Sequence, residues 1–242
     1  MDRIEYEKMH AVEERMWWYR GLHANLLTLF RRAGPARPGA RVLDAGCGTG
    51  GLLAKLDPAL ERIGLDVAPI AAGLAAAKAG VPVCVGSVDH LPFAASSLEA
   101  IFSADVIYHR AVDEAQALGE FARCLKPGGV LLLNLPAYDW MFSAHDRAVH
   151  TARRYTAGRI RARLMAAGFT EIRTTYWNSL LFPLMVLRRK LLAADGAASD
   201  VALLPAPVEF LFRSVMRIEN FLLRCGIALP FGGSVLAVAI KA

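Results

Sequence analysis

The sequence predicts an α/β protein in which helices cover both faces of a mostly parallel, seven-stranded sheet. Three observations support this fold class. Short apolar runs alternate with helix-length segments through the middle of the chain, and a strongly apolar run closes it. Short strands separated by helices imply parallel pairing through right-handed crossovers. The chain has 242 residues, 55% of them hydrophobic, which suffices for one domain with a sizeable core.

The elements follow from periodicity and from the residues that interrupt it. Residues 5 to about 32 are predicted to be helical, because apolar and aromatic side chains recur every three or four positions until the glycines and prolines of 33–40. Strands are predicted at 41–45, 62–66, 81–85, 100–103, 130–135, 171–177 and 234–241. Helices are predicted at 69–79, 113–125 and 157–167, and one is expected directly after the glycine-rich turn that follows the first strand.

The prediction is a single domain over residues 1–242 with two additions to its core. Residues 1–33 form an N-terminal lid, 40–177 the sheet-and-helix core, 178–232 an apolar helical insertion and 233–242 the final strand. The insertion has helical segments near 180–192 and 208–223, and it is too long for a hairpin loop. We expect it to cap an acceptor pocket or to form a homodimer interface. Because basic residues flank its apolar runs, peripheral membrane contact is the alternative.

The composition of the chain limits which classes of partner and which cellular compartment are expected. The formal net charge of +6 favours anionic partners, but the basic residues lie in small groups, so no nucleic acid partner is expected. The four cysteines contain no C-x-x-C pair, which argues against a zinc site or a disulfide framework. No signal-peptide core and no membrane-spanning run is visible, so we predict a cytoplasmic protein, with the inner face of the membrane as a peripheral location.

The most specific signal is the run VLDAGCGTGG at residues 42–51, where a strand leads into a glycine-rich turn. Glycines are needed where the backbone takes positive φ or lies against a ligand. Gly46, Gly48 and Gly51 also satisfy a dinucleotide pattern, and Asp66 has the spacing of its ribose-binding acid, so an NAD(P)-dependent oxidoreductase is one hypothesis. Asp44 favours another, because a carboxylate before the glycines would repel a diphosphate and attract a cationic, phosphate-free ligand.

Two further acids and a second turn complete the pattern. Asp66 ends the second strand, Asp89 follows the third, and KPGG at 126–129 leads into the fifth. Together with DAGCGTG, this order resembles the Rossmann-like class I S-adenosylmethionine-dependent methyltransferases over about residues 40–135. The resemblance implies transfer of a methyl group from S-adenosylmethionine to a small-molecule acceptor, with S-adenosylhomocysteine as product. The acceptor would be a metabolite, a glycan or a lipid-linked molecule, with oxygen favoured over nitrogen or carbon.

The resemblance also implies a set of cofactor-binding residues. Asp66 would bind the ribose hydroxyls, Asp89 would meet the adenine amino group and Val88 would pack on the ring. The full set is Asp44, Ala45, Gly46, Cys47, Gly48, Asp66, Val67, Ser87, Val88, Asp89, Ser103 and Ala104. In related enzymes an N-terminal helix closes the site, so Tyr19 and Arg20 are expected at the methionyl end of the cofactor. The alternative is that the aromatic residues of this helix only pack on the sheet.

The acceptor is expected above the carboxyl ends of the fourth and fifth strands. His145 is the first candidate for a general base, followed by His109 and His150. Acceptor contacts are expected from Trp18, Tyr108, Tyr138, Trp140, Phe142, Arg153, Arg154 and Tyr155, with the arginines holding an anionic group. No metal is predicted, since the spacing of His145, Asp146 and His150 fits no recognised site. A non-catalytic cofactor-binding or membrane-docking module remains a third hypothesis.

Overall fold

A computed structural model of the protein describes residues 3–34, 37–191 and 202–242, without the side chains of residues 145, 148, 190 and 191. Seven strands form one sheet in the order β3-β2-β1-β4-β5-β7-β6. Only β7 runs antiparallel to its neighbours, β5 and β6. The predicted fold class is therefore confirmed. The strands are β1 (Arg41–Ala45), β2 (Glu61–Asp66), β3 (Val83–Val85), β4 (Leu98–Ala104), β5 (Leu125–Pro136), β6 (Phe169–Trp177) and β7 (Ser234–Lys241).

Helices cover both faces of the sheet. They are α1 (Arg3–Val12), α2 (Trp17–Ala33), α3 (Pro69–Ala79), α4 (Glu114–Cys124), α5 (Ala144–Ala148), α6 (Ala157–Ala166), α7 (Phe182–Leu191) and α8 (Ala206–Arg224). Because side chains alternate along a strand, neighbouring residues of β1 belong to two different core clusters. Leu43 faces the layer that contains Phe121 of α4 and Leu164 of α6. Val42 faces the layer that contains Leu26 of α2 and Met216 of α8.

The prediction of a single N-terminal helix is wrong in one respect, because residues 13–16 divide this helix into α1 and α2. Glu13 turns inward and is only 3% exposed, so its side chain cannot continue the solvent-facing surface of α1. Met16 takes an extended conformation, with φ −68° and ψ 130°, and α2 starts directly after it.

The prediction of a helix directly after the glycine-rich turn is also wrong. Only one 3₁₀ turn, Leu53–Lys55, lies between that turn and β2. Since β2 already begins at Glu61, the connection has no room for a packed α-helix. The turn therefore lacks the long helix whose N-terminus would attract a diphosphate.

The insertion packs on the N-terminal lid rather than standing apart. The Trp17 backbone N–H donates to Oε2 of Glu209 at 3.0 Å, and Met216 lies against Gly21. Glu219 is fully buried, and its carboxylate accepts backbone hydrogen bonds from residues 178–180 at 2.7–2.8 Å. These contacts join α8 to α2 and to the segment that connects β6 with α7. Across the described ranges, every helix is too short or too polar to cross a bilayer.

Candidate functional site

The glycine-rich turn lies directly against the neighbouring strand ends. After Ala45, the chain passes through Gly46, Gly48 and Gly50 with φ values of 86°, 54° and 85°. These positive angles favour glycine over other residues. A Cβ atom at Gly46 would also overlap Cγ2 of Val106, which follows β4. The glycines therefore let the turn approach the carboxyl ends of the sheet without a side chain between them.

Carboxylates surround this turn. Asp44 is 2% exposed, and its Oδ2 has no hydrogen-bond partner among the described residues. Burial, followed by the negative charges of Asp66 and Glu13, raises the pKa of Asp44 to about 7. Within the described part of the chain, no basic side chain forms an ion pair with Asp44 or Asp66. The site consequently favours a ligand that brings positive charge.

Asp66 is held in place by its neighbours. Its Oδ2 accepts from the Gly48 N–H at 2.9 Å, and its Oδ1 accepts from the Ala68 N–H at 2.9 Å. The Tyr6 hydroxyl of α1 donates to the same Oδ1 at 3.4 Å. Val67 beside it is 68% exposed, so the end of β2 is open to a ligand on that side. The first helix thus reaches the acid for which a ribose is predicted.

The third predicted acid carries an unused acceptor. Oδ1 of Asp89 is buried without a partner among the described residues, while the Asp89 N–H donates to Oγ of Ser87 at 3.2 Å. Val88 is 4% exposed and belongs to the core, which limits its contact with a ring. Burial raises the pKa of the Cys47 thiol, so this residue stays protonated and acts as a small apolar neighbour of the turn.

The lid is attached to the turn by a buried polar cluster that sequence reasoning missed. The Thr49 hydroxyl donates to Oε1 of Glu13 at 2.7 Å, and Lys78 of α3 forms an ion pair with the same oxygen. Met9 covers the turn from α1, with its Cε 2.7 Å from where a Cβ of Gly48 would lie. No local sequence pattern at Glu13 predicts this contact, because the partners of Glu13 are distant in the chain.

A half-buried carboxyl group, that of Asp105, lies at the end of β4 and was also missed. Asp105 has a φ of 60°, and its Oδ2 accepts from Nδ2 of Asn134 at 2.8 Å. Burial raises the pKa of Asp105 to about 7, although the Asn134 hydrogen bond and the charge of Arg154 oppose the shift. Oδ1 of Asn134 in turn accepts from Nε1 of Trp177 at 2.7 Å. The available signal was an acid at the end of a predicted strand.

One aromatic residue of the lid, Tyr19, lies near this carboxyl group. Burial raises the pKa of Tyr19 and of Tyr108, and the charge of Asp105 contributes to both shifts, so all three side chains lie near one another. The Trp18 ring contacts the Tyr19 ring edge-on at 5.0 Å. Arg20 is instead exposed and lines a groove between α2 and α8, where it donates to the Glu14 carbonyl at 3.4 Å. Arg20 thus lies in the groove rather than at the predicted methionyl end, and the role of α2 as a lid stays a prediction.

The segment after β5 carries a stack of aromatic rings. Tyr138, with a φ of 60°, lies 5.6 Å from Trp140 and 5.4 Å from Tyr176, ring centre to ring centre. Phe182 of the insertion adds a contact at 5.7 Å, and sequence reasoning missed both it and Tyr176. Trp140 and Phe142 are 50% and 41% exposed. The stack presents an apolar wall beside the strand ends.

The three candidate bases differ in how they are placed. The His109 ring stacks on Tyr108 at 4.6 Å, and burial lowers its pKa. His150 is exposed and has a φ of 56°. His145 belongs to α5, but its side chain lies outside the described residues. The histidine assignments stay predictions.

The predicted anion-binding arginines already have partners. Arg154 is 4% exposed, and its Nε lies 3.0 Å from Oδ1 of Asp146. Arg153 lies 3.9 Å from Glu114. Tyr155 is fully buried in the core, so its ring packs there instead of facing an acceptor. Ser103 and Ala104 of the predicted cofactor set end β4, and Oγ of Ser103 is buried without a partner in the described structure.

Comparison with known proteins identifies related sequences. Residues 43–133 match the family described as a methyltransferase domain. A malonyl-acyl-carrier-protein O-methyltransferase from Dechloromonas aromatica is 34% identical over 142 residues, a match that covers 54% of this chain and 52% of that protein. The chain spans about half the length of the curated relatives it matches.

Solved structures agree on the fold. A methyltransferase from Thermotoga maritima, described as S-adenosylmethionine-dependent, superposes with a TM-score of 0.62 at 19% identity, covering 98% of this chain and 95% of that one. A chain from the Haloferax volcanii complex between the Trm112 methyltransferase activator and a methyltransferase gives 0.60 at 24% identity, covering 98% and 97%. At these identities the likeness concerns architecture.

Proposed function

Since this chain carries a methyltransferase domain of the class I, S-adenosylmethionine-dependent family, we propose that it methylates a hydroxyl oxygen of a small-molecule acceptor. The observation that carries the proposal is Asp44, a buried carboxyl group with an unpartnered oxygen and a pKa near 7. An ammonium or sulfonium group would neutralise it, whereas a diphosphate would face a cluster of like charges. The short 3₁₀ turn after the glycines also offers a diphosphate no helix N-terminus.

The predicted cofactor-binding acids lie at three strand ends, and each would bind a different group of the cofactor. Asp66 is positioned by two backbone N–H groups to bind hydroxyls, and the free oxygen of Asp89 suits an amino group. Asp44 would hold the charged end of the ligand. When bound, S-adenosylmethionine supplies an activated methyl group on a positively charged sulfur. The glycine-rich turn and α1 would exclude water around it.

The charges near the end of β4 favour a hydroxyl acceptor over a carboxylate. A carboxylate acceptor would lie near Asp44 and Asp105, while Arg153 and Arg154 are already paired with other groups. A hydroxyl group has a proton to lose, and the ionised form of Asp105 can accept it. The aromatic stack at Tyr138 would hold the acceptor by its apolar surface. The name of the D. aromatica relative supports oxygen as the atom methylated, although a malonyl group offers a carboxylate oxygen and not a hydroxyl.

Calorimetry distinguishes this function from nicotinamide-dependent oxidation. We expect S-adenosylhomocysteine to bind and NAD to give no heat. Asp66→Ala is expected to weaken S-adenosylhomocysteine binding by about 1–3 kcal/mol, because charge-assisted hydrogen bonds are lost. Tight binding of NAD, or no binding of either NAD or S-adenosylhomocysteine, would reject the proposal. A chain that binds S-adenosylhomocysteine but methylates no acceptor in a broad panel would be a non-catalytic module.

Asp105→Asn tests the proton acceptor. With a hydroxyl acceptor, the wild-type rate is expected to rise with pH through about 7, because only the ionised carboxylate of Asp105 accepts a proton. The variant should lose this rise and be slower by about a hundredfold or more above pH 7. The measurement is release of S-adenosylhomocysteine from pH 5.5 to 9, at saturating S-adenosylmethionine.

Asp57→Asn on the exposed surface is the matched control and should leave the pH profile unchanged. Calorimetry should show that Asp105→Asn still binds S-adenosylhomocysteine. A variant that keeps the wild-type rate and profile would assign the proton transfer to another group, with His109 the next candidate.

A further inference from the structure

Helix α8 separates its charges between its two sides. Its acids are Glu209 and Glu219, and both turn inward, at 4% and 0% exposure. Each is used there, since Glu209 accepts from the Trp17 N–H and Glu219 accepts three backbone hydrogen bonds. No negative side chain of α8 therefore remains on its solvent side.

The outward side of α8 carries basic residues. Arg213, Arg217 and Arg224 line a shallow groove of about 280 Å³ between α8 and α2, together with Arg20. Among the residues that the structure describes, these four arginines form no ion pair with a carboxylate. Their positive charges consequently face solvent along one flank of the helix.

Beside this row runs an exposed apolar stripe. Phe210, Leu211, Ile218 and Phe221 are 64%, 57%, 53% and 63% exposed. At about 1.5 Å per residue, the stripe extends for roughly 16 Å along the helix axis. Large apolar side chains that are contiguous and half or more exposed mark an interaction surface more often than chance exposure.

We propose that α8 docks this protein on an anionic lipid surface, with its apolar stripe in the headgroup region and its arginines against lipid phosphates. An amphipathic helix with a basic polar flank is the form that binds such surfaces. A second copy of this chain fits less well. An antiparallel two-fold contact through this face would bring both rows of arginines to the same side of the helix pair, with like charges near one another.

The docking surface is separate from the carboxylates that would bind the cofactor. Arg213, Arg217 and the apolar stripe lie on the sides of α8 that do not carry its buried residues Met216, Glu219 and Leu223. Because Trp18 and Tyr19 belong to α2, which packs on α8, docking would bring the lid close to the membrane. Lipid binding and cofactor binding can therefore fail independently, and each can be measured without the other.

Flotation with vesicles tests the proposal. The wild-type chain is expected to float with vesicles of equal parts phosphatidylglycerol and phosphatidylcholine, and to stay behind with phosphatidylcholine alone. Replacing two arginines, Arg213→Gln with Arg217→Gln, should weaken partitioning about thirtyfold, since each basic residue near an anionic surface contributes roughly fivefold. The pair Phe210→Ser with Phe221→Ser should weaken it about tenfold or more.

Matched controls come from the opposite side of the sheet. Met165→Ser, 63% exposed, and Arg163→Gln, 54% exposed, both on α6, should bind vesicles like the wild type. All variants should keep wild-type affinity for S-adenosylhomocysteine, which shows that they are folded. Absence of flotation with anionic vesicles would overturn the proposal, as would unchanged flotation of both double variants. A wild-type dimer in light scattering that Phe210→Ser with Phe221→Ser makes monomeric would assign the face to a second copy instead.

Discussion

Replacing Lys78 by methionine is expected to lower the free energy of unfolding by about 3–5 kcal/mol. The Lys78 side chain is 12% exposed and that of Glu13, its ion-pair partner, is 4% exposed. Removal of the ammonium leaves a buried carboxylate whose remaining partner is the Thr49 hydroxyl. Breaking one side of a buried pair costs more than the pair contributes. Urea denaturation followed by circular dichroism measures the change.

The surface pair of Lys8 and Glu5 is the control. Lys8 is 47% exposed, so Lys8→Met should change the free energy of unfolding by less than about 1 kcal/mol. The double variant Lys78→Met with Glu13→Gln should recover part of the loss, because no uncompensated charge remains. If Lys78→Met behaves like Lys8→Met, the buried cluster does not stabilise the lid.

Asp44→Asn is expected to act in opposite directions on binding and on stability. Without its charge, affinity for S-adenosylmethionine should fall by about 1.5–3 kcal/mol, the range for hydrogen bonds to charged groups. The folded protein without cofactor should become more stable, because the variant removes a buried carboxylate that has no partner on one oxygen. Calorimetry and thermal unfolding measure the two effects, with Asp57→Asn as the control that should change neither.

The raised pKa of Asp44 predicts the direction in which stability and cofactor affinity change with pH. Its pKa rises from 3.8 to about 7 on folding. Between these values the unfolded chain has released the proton that the folded chain still holds, so this group's contribution to stability falls as pH rises. Cofactor affinity should instead increase through about pH 7, as Asp44 ionises. A flat affinity profile in the wild type would contradict the role of Asp44.

Much of the fold could be predicted because local signals agree with it. The bounds of β1, β7 and α3 match the prediction, since each element is a clear apolar run bounded by glycine or proline. The strand ends that carry Asp44 and Asp66 were predicted for the same reason. The break before α2 was not, because Glu13 turns inward to meet Thr49 and Lys78, which are distant in sequence.

On the acceptor side of the site, the environment of each residue is set by contacts with residues that are distant in the sequence. Asp105 owes its raised pKa to burial beneath residues of other elements, which periodicity does not reveal. Arg154 looked suited to an anionic ligand, yet it is buried against Asp146. Residue types alone could not distinguish a buried ion pair from an exposed binding group.

The side-by-side packing of α2 and α8 has a consequence for synthesis on the ribosome. The hydrogen bond from Trp17 to Glu209 joins residues 192 positions apart. Translation of the intervening chain takes on the order of ten seconds or more at roughly 5–20 residues per second. Throughout that time α2 has emerged with its apolar surface and no α8 to cover it. The apolar surface of α2 that packs on α8 therefore stays uncovered for most of the synthesis of this chain.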